Sequence, residues 1–290
     1  MRFLLVLPFT LVLTATSFVV PERAAAPLTA DGVPLCHPVS NDMAALASNP
    51  AFVRAHHAPA PFTHRSAAGR MITFQTPDGK DANGFLLRAK KPSNNWLFVY
   101  QEWWGLNDHI KQEAEKYYND LADVNVLAVD MYDGKVTSKP EEAGKLMQGA
   151  DKTRLASIMR GAIAYAGKNA RIASVGWCFG GGMSLQSALL GGEQAVGCVM
   201  YYGFPEQDVN KLKNLKTDVL GLFASKDGFI SPQVVKQFEE AMARAGKKID
   251  VKMYDADHAF ANPSNPKFDK EATADAYQRS LRYLKARLNG

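Results

Sequence analysis

The sequence is poor in cysteine, in clustered charge and in long apolar runs, and each shortage excludes something. Only three of 290 residues are cysteine (Cys36, Cys178 and Cys198). That is too few for a disulfide-built scaffold, and the odd count leaves at least one thiol free even in an oxidising compartment. No second cysteine lies close to Cys178 in sequence to resolve a sulfenate, which argues against a thiol redox protein. The net charge of +5 is spread along the chain without a block of Lys or Arg, so no phosphate-tracking nucleic acid surface is indicated. After the first 20 residues no segment is apolar enough to span a bilayer. Internal repeats are absent. His56, His57 and His64 have no acidic or cysteine partner at ligand spacing, so they are read as structural, and no metal or organic cofactor is expected.

What is present begins with Arg2, an apolar run over residues 3–20 and the cluster Ala24-Ala25-Ala26. This is the layout of a secretory signal peptide over residues 1–26, and the expected location is periplasmic or secreted. Pro27 directly after a cut at Ala26 is unfavourable, so retention of the run as a membrane anchor is the alternative. Residues 27–68 are rich in Ala, Pro and His with no sustained period, and read as a tether or loose N-terminal wrap. Cys198 lies in the apolar run 195–200 and reads as an inert buried thiol. A Cys36–Cys198 disulfide is the competing reading, and Cys178 is the natural free thiol.

Residues 69–290 carry the ordered domain. Alternating patterns at 71–76 and 84–89 flank Pro77-Asp78-Gly79 as an antiparallel pair. Residues 96–100 form a continuous apolar run, as a strand covered on both faces requires. Further strands are expected at 124–130, 172–175, 195–202, 219–224 and 250–254. Helices are expected at 108–121, 140–147, 154–166, 183–190, 232–245 and 267–288, with Ser231 as an N-cap and Pro232 in the first turn. Such alternation implies an α/β fold, a mostly parallel central sheet with helices on both faces.

At the centre stands Gly176-Trp177-Cys178-Phe179-Gly180, a strand–turn–helix with the spacing of a nucleophile elbow and sulfur in place of the hydroxyl. The flanking glycines let the turn tighten, and the following helix N-terminus favours a thiolate. Asp227 and His258 follow later strands, which gives the order nucleophile, acid, histidine of the α/β-hydrolases. Asp130, at another strand end, is the rival acid. Gln101-Glu102-Trp103-Trp104-Gly105-Leu106-Asn107 follows the strand at 96–100, where the backbone N–H of Trp103 can partner that of Phe179 in an oxyanion hole. Glu102 beside Cys178 would raise the thiol pKa.

These four signatures, in this order from about residue 71 to 288, resemble the dienelactone hydrolase (carboxymethylenebutenolidase) family. The resemblance implies an α/β-hydrolase fold and a Cys178–His258–Asp227 triad that opens esters or lactones through an acyl-cysteine. It also implies that Glu102 holds the resting thiol protonated until substrate binds. Family members acting on dienelactone hold its carboxylate with arginines. Here Asn262 stands shortly after the histidine, and residues 131–150 contain no arginine. Asn262 donates a hydrogen bond but supplies no charge, so dienelactone itself is doubtful as a substrate. Trp103 and Trp104 suggest an apolar or ring-bearing ligand, with Trp104 and Asn262 as substrate contacts and at least one tryptophan used in packing. The expected partner is a small ester or lactone and the expected state a monomer. The reading from another class is a non-catalytic small-molecule binding protein on the same fold.

Overall fold

A computed structural model describes residues 43–288, so the expected signal peptide at 1–26 and Cys36 lie outside the described residues. Eight strands form one sheet: β1 (Gly69–Gln75), β2 (Asp81–Leu87), β3 (Asn95–Tyr100), β4 (Asn125–Val129), β5 (Arg171–Trp177), β6 (Ala195–Tyr201), β7 (Val219–Ala224) and β8 (Ile249–Tyr254). Their spatial order is β1-β2-β4-β3-β5-β6-β7-β8. The β1/β2 and β2/β4 pairs are antiparallel and all later pairs are parallel. The β1–β2 turn closes through Gly79 N–H to Thr76 O at 3.0 Å, with Gly79 at φ +78°, a conformation glycine adopts without a Cβ clash.

Two short helices, α1 (Met43–Leu46) and α2 (Pro50–Ala55), precede the sheet. The others are α3 (Asp108–Asp120), α4 (Pro140–Gln148), α5 (Lys152–Ala166), α6 (Phe179–Gly191), α7 (Val209–Leu212), α8 (Pro232–Arg244) and α9 (Lys270–Leu288). Side-chain oxygens cap four of them at their N-termini: Asn107 for α3, Asp151 for α5, Asp208 for α7 and Ser231 for α8. Strand alternation assigns the layers. Cys198 on β6 faces Ser184 of α6 at 3.5 Å, whereas Tyr201, three residues on, meets Tyr117 of α3. Tyr117 in turn bonds Ser280 of α9 at 2.8 Å. Helices α5 and α6 thus cover one face of the sheet, and α3 and α9 the other. Strands β3 and β4, in the middle, are buried on both faces. Among the described residues no helix is long and apolar enough to cross a membrane. Cys198 is a free buried thiol, as the apolar run around it anticipates.

The expected loose wrap is, over residues 43–56, a docked segment. Asn49 caps α2 by accepting from Ala51 N–H at 2.9 Å, and Pro50 occupies its first turn. Met43, Ala47 and Phe52 are buried in the core. Burying Phe52 alone contributes on the order of 2–3 kcal/mol, which accounts for a short helix holding its place.

Candidate active site

Strand β5 delivers Cys178 into a sharp turn at φ +54° and ψ −119°, a region that costs a non-glycine residue of order 1–3 kcal/mol. The surroundings enforce it. The Cys178 N–H donates to Tyr201 O at 3.0 Å. A Cβ on Gly176 would overlap the Gly180 carbonyl, and one on Gly180 would overlap the carbonyls of Tyr100 and Gln101. Only glycine lets the chain approach itself this closely on both sides of the nucleophile. Helix α6 starts at Phe179; the Gly181 N–H already donates to Cys178 O at 3.0 Å, and it is the Phe179 N–H that favours a charged sulfur.

Asp227 follows β7 and His258 follows β8. Asp227 Oδ2 accepts from His258 Nδ1 at 2.6 Å, while Oδ1 accepts from Phe229 and Ile230 N–H at 2.8 and 2.9 Å. The carboxylate therefore both shapes its loop and orients the imidazole. Asp130, the rival, instead folds its own loop by accepting from Tyr132 and Gly134 N–H at 2.9 and 2.5 Å. Burial opposes charge on both partners of the Asp227–His258 pair, but their attraction prevails. The Asp227 carboxyl is held below its ordinary value, and His258 is raised to about 10. With Nδ1 on Asp227, His258 turns its buried Nε2 toward the Cys178 thiol, whose hydrogen bond helps keep the ring charged.

Burial pushes the Cys178 thiol up, His258 opposes that rise, and the Glu102 carboxylate adds to it. Glu102 is itself raised to about 7 by burial, against the pull of His258 and of Asn262. Its Oε2 accepts from Asn262 Nδ2 at 2.7 Å, so the Asn262 amide expected to contact substrate is engaged by Glu102. Both residues, with Trp104, Tyr202 and Trp177, line a cavity to which Glu113 and His109 also contribute. Among the described residues no arginine or lysine lines it. Arg154, on α5, is committed to Asp78 and Asp133.

Both tryptophans are buried: Trp104 lines the cavity, while Trp103 has its ring centroid 5.4 Å from Phe52 and 4.5 Å from His56. The sequence reads His56 as structural, yet its Nε2 lies 3.8 Å from Cys178 Sγ. Its Nδ1 lies 2.8 Å from Phe52 O, and because a carbonyl only accepts, Nδ1 carries the proton and Nε2 is a bare lone pair facing the sulfur. Burial, followed by the nearby His258, depresses His56 to about 3, so the ring is neutral. Phe52 seals the same side, 5.0 Å from Phe229 and 5.8 Å from His258. Tyr132 and Tyr202 are further site residues that no sequence motif marks. Their hydroxyls are buried without partners, and the Cys178 charge acts on both. Each stands just past a strand end, Tyr132 after β4 and Tyr202 after β6, and that position is their only signal in the sequence.

The model of the dienelactone hydrolase family matches residues 82–288. Carboxymethylenebutenolidase 1 of Cupriavidus pinatubonensis is 27% identical over 228 residues, covering 73% of this chain and 95% of that protein. The carboxymethylenebutenolidase of Pseudomonas putida is 27% identical over 231 residues, covering 73% and 94%. Among solved structures, a dienelactone hydrolase-like promiscuous phosphotriesterase from metagenomic libraries superposes with a TM-score of 0.67 at 20% identity, covering 76% of this chain and 99% of its own. The dienelactone hydrolase of Anabaena variabilis gives 0.56 at 19% identity, covering 80% and 100%. The fold is that of the α/β-hydrolases, and the chain belongs to the dienelactone hydrolase family.

Proposed function

We propose that this protein hydrolyses uncharged carboxylic esters or lactones through an acyl-cysteine on Cys178. Membership of the family supports a hydrolase of the ester and lactone type. The observation that carries the finer reading is the strained elbow cysteine beside a histidine whose far nitrogen is fixed at 2.6 Å from a buried carboxylate. In this reading Glu102, with a pKa about 7, takes the Cys178 proton when substrate enters. The thiolate attacks the carbonyl carbon, and the oxyanion is held by the N–H groups of Phe179 and Trp103. His258 Nε2–H then protonates the departing alkoxide, leaving the acyl-cysteine. Water, giving its proton to His258, attacks that thioester and returns the thiolate.

The cavity lining restricts the substrate. Glu102 and Glu113 face it and no guanidinium does, so a carboxylate-bearing lactone meets like charge without the bidentate partner it needs. The unpaired hydroxyls of Tyr132 and Tyr202 are suited to a neutral carbonyl or ether oxygen. The apolar run at 3–20 supports export of the enzyme. The test is hydrolysis of a short aryl ester, an uncharged lactone and dienelactone by the protein and by Cys178→Ala. Turnover of the first two, lost with the thiol, and little turnover of dienelactone are expected. Equal inertness of both proteins toward all three would overturn the reading.

A further inference from the structure

We propose that His56, Cys178 and His258 form a Zn2+ site, in which a histidine from the N-terminal segment and the two reactive residues of the hydrolase core bind one metal ion that holds the enzyme inactive. The three ligand atoms all lie within 4.8 Å of one another, and His56 Nε2 and Cys178 Sγ are 3.8 Å apart. Tetrahedral Zn2+ with its usual bond lengths sets nitrogen and sulfur ligands roughly 3.3–3.6 Å apart. Side-chain movements of about 1 Å would close the set around an ion.

A metal-binding imidazole presents one nitrogen and anchors the other. His56 anchors Nδ1 on Phe52 O at 2.8 Å, and His258 anchors Nδ1 on Asp227 at 2.6 Å. His258 Nε2 is buried beside the Cys178 thiol, whose hydrogen bond and charge act on the ring. Phe52, Trp103, Tyr202 and Phe229 wall the cluster with aromatic rings. Two imidazole nitrogens and one thiolate sulfur, with one position left open, select Zn2+ over Mg2+ and Ca2+, which require oxygen ligands. On binding, the Cys178 S–H proton and the His258 Nε2 proton leave to solvent as one Zn–S and two Zn–N bonds form. No electron moves. The ion staples α2 to the elbow and occupies the nucleophile. The inhibitory half of the proposal rests on the hydrolase reading above; metal binding itself does not.

The experiment titrates the metal-free full chain with Co2+, followed by competition with Zn2+. Expected are one equivalent bound, a thiolate-to-cobalt charge-transfer band, tetrahedral visible bands, and loss of all of these on adding Zn2+. His56→Gln should weaken binding by at least about 100-fold, the upper range for loss of even an outer partner. Absence of the charge-transfer band, or unchanged affinity in His56→Gln, would overturn the site. Should that variant fail to fold, alkylation of wild-type Cys178 by iodoacetamide decides. Protection by stoichiometric Zn2+ supports the site, and unchanged labelling refutes it. Ester hydrolysis is read separately: reversible inhibition by Zn2+ supports the inhibitory role, and full activity with the site occupied refutes it. A cobalt band in a protein inert toward every ester leaves the site standing while the hydrolase reading falls.

Discussion

Asp227→Asn removes the charge that keeps His258 an imidazolium, and its effect on stability has a calculable pH dependence. In the folded protein His258 is raised from 6.5 to about 10, which at ~1.4 kcal/mol per unit corresponds to roughly 5 kcal/mol. A histidine whose folded pKa is raised contributes stability fully present below the unfolded value and lost as pH rises through the folded one. The wild type should therefore exceed the variant by roughly 4–5 kcal/mol at pH 6, by about 4 at pH 7, and by only about 1 at pH 9. Asparagine cannot accept from His258, Phe229 and Ile230 together, so about 1–3 kcal/mol of pH-independent loss lies beneath that slope. Urea unfolding of both proteins at these three pH values measures the gap. A gap that stays constant from pH 6 to 9 would refute the Asp227–His258 ion pair as the source of the raised histidine. Activity should fall roughly 10⁴-fold at neutral pH, as the corresponding carboxylate-to-amide change does in a serine triad.

Glu102→Gln removes the carboxylate that opposes ionisation of Cys178; iodoacetamide should label the variant faster than the wild type at pH 8, and slower labelling would contradict that role. Because Glu102 is raised from 4.5 to about 7 by burial, the wild type loses stability as pH climbs through that window, by about 3 kcal/mol. The glutamine variant should lack the decline, which urea midpoints at pH 4.5 and 8 would detect. Phe52→Ala should cost about 3–5 kcal/mol and speed alkylation of Cys178 by opening its cover; unaltered stability would show that α2 is not docked in solution. Gly180→Ala places a methyl group against the Tyr100 and Gln101 carbonyls, so soluble yield should collapse, whereas a stable, active variant would refute the close approach.

The strands, the elbow and the order of its partners are legible because each rests on local pattern: apolar runs, glycines at fixed spacing, and polar residues just past strand ends. Helix α6 shows where that logic stops. Gly180, Gly181 and Gly182 read as a loop, with the helix beginning at residue 183, yet the helix starts at Phe179. Low intrinsic propensity is overridden because only glycine fits where Gly181 nears the Tyr201 carbonyl. The choice between Asp130 and Asp227 could not be made from strand ends, which both residues occupy; it rests on which carboxylate meets a histidine. His56 escapes a sequence reading because its partner Cys178 lies over a hundred residues away. The Asn49-Pro50 helix start is the one local sign that its segment is ordered. Tyr132 and Tyr202 stand out only through hydroxyls left without partners, and partnering is a property of the folded chain.

The acyl-cysteine is tested most directly by rapid-quench intact-mass analysis of the protein mixed with a short aryl ester. A transient mass increase of one acyl group is expected, located on Cys178 by peptide mapping and absent from Cys178→Ala. Steady turnover with the acyl group on another residue, or turnover undiminished in Cys178→Ala, would contradict the acyl-cysteine.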